Sequence, residues 1–299
     1  MSELVSFSII IPTYNRANLV LKTILSLLTQ THLNFEIIVV DDGSTDNTAA
    51  VIASIHDKRV KYFSKPNAER GAARNYGVSK ASGNYINYFD SDDLAYSNHL
   101  QTAVDVIRKN NFPEMLHLGY DYKTEEGKLL EEVNQFDGNV IKYVVQKKMI
   151  SMMSMFIRKD IAEQFPFSED RDFTMGEDAL HLCQLVARYT FFYDNAITSS
   201  VINHPQRTMK SSNEASYLYC RKQLIAELGK DDAFMKAYGI YLPQISNEYN
   251  YLLWKNALEN RENKKAWQYY RLYIKEDNKN IFSRRTLVFF RNYIYNLFS

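Results

Sequence analysis

Cysteine is scarce in this chain. Only Cys183 and Cys220 occur among 299 residues, and their separation matches no metal-ligand or thiol-redox spacing. Both are expected as reduced, buried thiols of a cytosolic protein. Excess charge of one sign is also missing: 36 basic side chains face 35 acidic ones, a net charge of +1. That balance gives no global electrostatic case for nucleic acid, and no nucleic-acid partner is expected. No run reaches the roughly 18 to 20 apolar residues of a membrane-spanning helix. The first residues, Ser2 and Glu3 and then a short apolar run to Ile11, lack the basic region and longer apolar region of a secretory signal. A cytoplasmic location is the expectation. Internal repeats and low-complexity linkers are absent too.

What is present is a hydrophobic share of 45% with 24% charged residues, enough for a large buried core and one α/β unit with a helical appendage. Val5 to Ile11 (VSFSIII) is β-branched and apolar and meets Pro12, which predicts a buried strand ending at a loop. Ala17 to Gln30 carries Leu19, Ile24, Leu27 and Leu28 at helical spacing. Phe35 to Val40 (FEIIVV) is a second apolar strand, cut off by Asp41-Asp42-Gly43-Ser44, and Thr45 to Ile55 follows as a helix with Ser44 or Thr45 as its cap. Further strands are predicted at Val60 to Phe63 and Tyr85 to Phe89, with a helix at Gly71 to Ser82 between them. Strands apolar at every position belong in a parallel sheet covered on both faces. From about residue 110 to 173 the pattern is less regular, with strands near Met115 to Tyr122 and Met152 to Ile157, then a helix from Glu177 to Arg188. Beyond Asn213 the chain reads as almost wholly helical and rich in aromatic residues, among them Trp254, Trp267, Tyr269, Tyr270 and Tyr273.

Ligands of such sheets collect at the carboxyl ends of the strands. Three polar loops fall there: Pro12 to Arg16, Asp41 to Asp46 and Asp90 to Asp93. The last belongs to FDSDD, which packs three carboxylates into four positions. Adjacent carboxylates repel unless a cation or a hydrogen-bond donor sits among them. Taken alone the cluster is more often a turn or a helix cap. Beside the other loops it suits a hard divalent cation, Mn2+ or Mg2+, held by one or two carboxylates and completed by phosphate oxygens. Tyr14 can stack on a base, Arg16 can bind phosphate, and Asp42 can accept a hydrogen bond from a base N–H. Neither GxGxxG nor GxxxxGK[ST] occurs, so neither a dinucleotide fold nor a P-loop is supported.

IPTYNR, VVDDGSTDNT, NAERGAARNYGVSKASGNYINYFDSDD and the later MGEDALHL, in that order and spacing, resemble the successive signatures of family 2 glycosyltransferases. The likeness covers roughly residues 6 to 210. It implies the GT-A fold, an α/β class with a Rossmann-like mixed sheet flanked by helices, here over residues 1–212, with a helical C-terminal extension over 213–299. By resemblance, Pro12, Tyr14, Arg16, Asp42, Arg74, Asp90 and Ser91 bind the donor, a nucleotide-diphosphate sugar and by the commonest pattern a UDP-sugar. Asp92 resembles the aspartate that binds the cation, and Asp93 is open to a ligand role or to capping the next helix. Glu177 and Asp178 resemble the family's catalytic pair, whose aspartate is the base. His204 stands where many relatives have a histidine and could complete the metal site, although Ile202 replaces the arginine usual two places before it. His32, His56, His99, His117 and His181 receive no role.

The implied reaction is a single in-line displacement at the anomeric carbon with inversion, to a glycan or lipid-linked glycan acceptor, as in cell-surface polysaccharide synthesis. Asp178 would deprotonate the acceptor hydroxyl. Acceptor specificity is expected from about residues 110 to 175 and from the tail, and a homo-oligomer is compatible with it. In SRRTLVFFRNYIYNLFS, Arg284, Arg285, Arg291, Asn292 and Asn296 can gather on one side of a helix, with Leu287, Phe290, Ile294, Leu297 and Phe298 on the other. The apolar side either lies in a membrane interface, which would place the protein peripherally on the inner face of the cytoplasmic membrane, or packs on Trp254 or Trp267. Three rival functions stand beside the transferase. A sugar nucleotidyltransferase would carry a Gly-rich basic loop near the first strand, which IPTYNRANL lacks. A catalytically silent nucleotide- or carbohydrate-binding protein has no need of Asp178. A phospho-receiver domain, suggested by Asp41-Asp42, lacks the remaining acidic and lysine positions.

Overall fold

The apolar runs FSIIIPT and FEIIVVD are buried at every position and pair as parallel neighbours, β1 (Phe7–Thr13) and β2 (Phe35–Asp41). The computed structural model describes residues 4–136, 151–204, 207 and 213–298. After β1 come α1 (Ala17–Leu28), then β2, α2 (Thr48–Ala53), β3 (Val60–Ser64), α3 (Glu69–Lys80), β4 (Tyr85–Tyr88), β5 (Leu94–Ala95) and α4 (His99–Lys109). The second half runs β6 (Met115–Thr124), β7 (Leu129–Val133), β8 (Met155–Arg158), α5 (Lys159–Gln164), α6 (Glu177–Val186) and β9 (Phe191–Asn203). The tail is α7 (Glu214–Lys230), α8 (Asp232–Tyr238), α9 (Leu242–Glu259), α10 (Asn263–Glu276) and α11 (Arg284–Phe298).

One mixed sheet in the order β3-β2-β1-β4-β8-β6-β9-β5 organises the molecule, with β7 paired to β6. The first four strands are parallel, whereas β8 is antiparallel to both β4 and β6. Side chains alternate between faces along a strand, so each apolar run divides between two cores. Ile9, Ile11, Ile37 and Val39 pack with Val20, Ile24 and Leu27 of α1 and with Leu100 and Val104 of α4. Ile10, Ile38 and Val40 share the other core with Ala73 and Val78 of α3 and, from the tail, with Leu224, Leu228, Tyr249 and Leu253. The tail is therefore packed on the sheet and contributes to its core. The division expected at residue 212 falls at 208–212, outside the described residues, as do 137–150 of the stretch expected to select the acceptor.

Two local expectations change. Pro12 lies inside β1, opposite Val40, where a strand end was expected. The Ile10 carbonyl accepts from Phe89 N–H on the β4 side, and Pro12, two residues on, faces the same way, beyond the last ladder pair Ile10 to Tyr88. Its missing N–H thus interrupts no ladder. At α2, neither Ser44 nor Thr45 is the cap: Asp46 Oδ1 accepts from Thr48 N at 3.0 Å.

Both readings of the last helix find a counterpart. Phe289 is fully buried, stacked 4.0 Å from Tyr270 and edge-on to Trp254 at 5.3 Å, with Trp267 at 5.9 Å. That anchoring residue is not one of the apolar set chosen from the sequence. Among the chosen set, Leu287 is 72% exposed and Ile294 52%, and Leu297 also faces outward. No described helix is long and apolar enough to cross a membrane.

Candidate active site

Loops at the carboxyl ends of β1 and β2 are stitched to each other by Asn15. This residue adopts φ 51, a left-handed conformation that asparagine tolerates better than most side chains. Asn15 Oδ1 accepts from Thr45 N at 2.7 Å and from Asp46 N at 3.3 Å, and Asn15 N donates to Ser44 Oγ at 2.8 Å. The lock places Tyr14 and Arg16 on the wall of a cavity of about 820 Å³. Pro12, Asp42, Asp90, Ser91, Asp92 and Asp178 line the same cavity. Arg74, Glu177 and His204 do not; they stand behind residues that do. A second cavity of about 540 Å³, beside Val5, Asn84 and Lys159, contains none of the residues singled out from the sequence.

Asp42 is buried, and its carboxylate is already engaged. Lys65 donates to Oδ1, and Ala68 N donates to Oδ1 at 3.0 Å and Oδ2 at 3.2 Å. Its remaining lone pairs are what a base N–H could address.

Each aspartate of DSDD has a different partner. Asp90 accepts from Arg74 Nη2 at 3.0 Å. Asp92 Oδ2 accepts from both Arg16 Nη1 and His204 Nε2, each at 2.9 Å. Asp93 is fully buried and turned inward, where its Oδ1 accepts from Ile202 N at 3.0 Å and Arg207 Nη1 at 3.1 Å. Burial pushes the Asp93 carboxyl well up against the pull of Arg207, with Asp92 and Asp90 adding to the rise. Asp93 caps no helix; it ties the loop to β9. Even so, ligand oxygens of Asp90, Asp92 and Asp93 lie within 4.8 Å of one another, and an oxygen-rich set with one imidazole beside it suits Mn2+ or Mg2+.

Arg74 joins this corner to the other acids. It is wholly buried, although the sequence placed it beside the diphosphate, and its guanidinium spans from Asp90 to Asp178, to which Nη1 donates. Glu177 lies 3.8 Å from the same Nη1, and the Phe167 ring lies 4.9 Å beneath the guanidinium carbon. Gly71 allows this packing, because a Cβ there would come within 2.2 Å of the Ser168 carbonyl oxygen. Arg70, one turn earlier on α3, donates to Glu177 and to the Thr174 carbonyl and also lines the cavity. The i, i+4 spacing of Arg70 and Arg74 was the signal by which Arg70 could have been found.

The adjacent acids of α6 differ in exposure and in charge. The Asp178 side chain is 41% exposed and faces the cavity, while Glu177 is 3% exposed. Burial raises both carboxyls. At Asp178 the charges of Arg74 and Arg70 outweigh it and hold the group below its usual value. At Glu177 burial and the Asp178 charge prevail over Arg70, and the carboxyl is pushed up to about 7. Two acids whose environments separate them in this way are suited to different roles.

The glycosyl transferase family 2 model matches residues 8–165. An uncharacterised glycosyltransferase of Rickettsia bellii is 41% identical over 174 residues, 57% of this chain but 25% of that protein, so the chain spans about a quarter of that relative. Glycosyltransferase GlyG of Streptococcus pneumoniae is 30% identical over 213 residues, 65% of this chain and 70% of GlyG. Among solved structures, S. aureus TarS 1–349 in complex with UDP-GlcNAc superposes with a TM-score of 0.67 at 20% identity, covering 91% of this chain and 79% of that one. The mannosyltransferase PcManGT of Pyrobaculum calidifontis, in complex with GDP-Man and Mn2+, gives 0.60 at 15% identity, covering 99% and 86%. At these identities the structural likeness is one of fold.

A carboxyl raised by folding favours the protonated folded state, so Glu177 withholds stability increasingly as pH climbs from its ordinary 4.5 to about 7. Glu177→Gln removes that slope. Thermal melts at about pH 5 and about pH 8 should show the variant gaining on the wild type at the higher pH; parallel behaviour would contradict the assignment.

Proposed function

The chain belongs to glycosyl transferase family 2, and from that premise we propose that it transfers a sugar from a nucleotide-diphosphate donor, a UDP-sugar, to an acceptor hydroxyl with inversion. The observation that carries the reading is Asp178: an exposed carboxylate, held ionised by buried Arg74, in the same cavity as Tyr14, Asp42 and the DSDD loop. TarS with UDP-GlcNAc and PcManGT with GDP-Man support a nucleotide sugar as the donor class.

Tyr14, half exposed at the rim, would stack on the nucleobase, and Asp42 would accept from its edge. Arg16 and Arg70, both on the cavity wall, would face the diphosphate. Asp92, with His204 and Asp90 beside it, would hold Mn2+ or Mg2+. Such a cation, when bound, would neutralise charge on the departing diphosphate. Asp178 would take the proton of the acceptor hydroxyl as that oxygen attacks the anomeric carbon. Glu177, sealed behind it, would hold Arg70 and Arg74 in place without touching substrate. Domain roles follow: residues 1–212 carry the chemistry and 213–299 the acceptor side.

The outward apolar face of α11 and its exposed Arg284 and Arg291 suit peripheral contact with an anionic membrane, where a lipid-linked glycan acceptor would be met. The buried Phe289 makes deletion of the helix a poor test. Leu287→Glu with Ile294→Glu changes only outward positions, and should cut sedimentation with phosphatidylglycerol vesicles severalfold; equal binding would end the membrane reading.

For the reaction itself, the protein with Mn2+ and a panel of nucleotide sugars should release nucleoside diphosphate from at least one donor. Asp178→Asn should lower kcat by about 10²- to 10⁴-fold, and Asp92→Ala should weaken metal-dependent UDP binding. No turnover on any donor, with nucleotide affinity indifferent to Asp92→Ala, would overturn the assignment.

A further inference from the structure

The wall of the cavity that holds Asp178 also takes in part of the tail, called its tail side or far end. Glu248, Tyr251, Leu252 and Lys255 line it, and their spacing puts them on one face of α9. The first turns of α11 supply Arg284, Arg285 and Val288. Charge at this end is not balanced. Arg285 Nη1 donates to Glu248 at 2.7 Å and its guanidinium carbon lies 3.9 Å over the Tyr251 ring, so those two charges neutralise each other. Among the described residues the ion pair of Lys255 is with Glu259, on the next turn, at 3.8 Å and with both side chains more than half exposed. Such a pair holds its cation weakly. Arg284 has no ion pair among the described residues. It also opens α11, a helix of 15 residues whose N-terminal end adds partial positive charge, although the Thr286 amide there is already taken by Ser283.

We propose that this far end binds a phosphate group carried by the acceptor, with Lys255 and Arg284 as its counter-charges. The inference rests on the transferase reading: the acceptor hydroxyl lies at Asp178 while the phosphate of the same molecule lies toward α9 and α11, inside one continuous cavity. Phosphate is the anion that fits, because the wall formed by α9 and the start of α11 carries two weakly engaged cations, Lys255 and Arg284, while its acid, Glu248, is already paired with Arg285. That phosphate belongs either to a soluble phosphorylated glycan or to a lipid headgroup.

The test uses the full chain with UDP and Mn2+ saturating the donor end. In one arm glucose 6-phosphate is compared with methyl glucoside by titration calorimetry; in the other, vesicles of phosphatidylglycerol are compared with vesicles of phosphatidylcholine. Lys255→Ala with Arg284→Ala is run in parallel, both residues being exposed, and its thermal melt checks the fold. A preference for glucose 6-phosphate of about 10-fold, lost in the double variant and weakened by salt, establishes the site with a soluble source. A phosphatidylglycerol preference lost in the double variant, without the first, establishes it with a headgroup source. An unchanged double variant in both arms overturns the proposal. Failure of the wild type to bind UDP would instead sink the donor reading, while the double variant still reports whether the anion sits at the tail.

Discussion

A guanidinium with no access to water has to be neutralised by the protein, and Arg74 is such a group. Its neutralisation recruits Asp90 from the loop after β4 and Asp178 and Glu177 from the start of α6, elements separated by somewhat less than a third of the chain. Removing a partner would leave the buried guanidinium short of counter-charge, so these elements are held in one arrangement. The close approach of α3 at Gly71 and the Phe167 ring beneath the guanidinium complete the junction. The Asp90 loop and the Asp178 carboxylate, the two ends of the proposed site, are thereby positioned by a single side chain.

The same economy explains how three aspartates survive side by side. Asp90, Asp92 and Asp93 each have their own cation, Arg74, Arg16 and Arg207 respectively. The repulsion is therefore answered in part within the protein, with the buried Asp93 carboxyl still pushed up by burial and by its two neighbours. Arg16 is the point where this balance meets a ligand. Its guanidinium has five donors, so a phosphate at the rim can be served alongside Asp92, and the cavity side of the loop stays electrically poised for an anion next to a cation site.

Legibility followed locality. The first, second and fourth strands are mainly apolar and buried at every position, and the loops that end them carry their motifs within a few residues, so the parallel half of the sheet and most of the residues that line the cavity beside Tyr14 and Asp42 could be read directly. The second half could not. β9 runs from Phe191 to Asn203, half of it only partly buried, and its register with β6 breaks around Gly119; no period-2 pattern marks it. Arg74 was singled out from the sequence, but its burial depends on segments a hundred positions away. Lys255 and Arg284 reach the cavity only because the tail shares the core of the sheet, a tertiary fact that no local spacing records. Leu287, Ile294 and Leu297 of the apolar set face outward, but Arg284 and Arg291 are exposed with them, and the residue that anchors the helix, Phe289, lay outside the set.

The pH dependence of kcat/KM in Arg74→Gln, measured beside Arg74→Lys to separate loss of charge from loss of shape, tests the central role of Arg74 most directly. With the cation gone, the Asp178 carboxyl should rise, moving the acidic limb of the profile upward by about 1–3 pH units, while the lysine variant moves less. An acidic limb that stays in place in an active, folded Arg74→Gln protein would contradict the account.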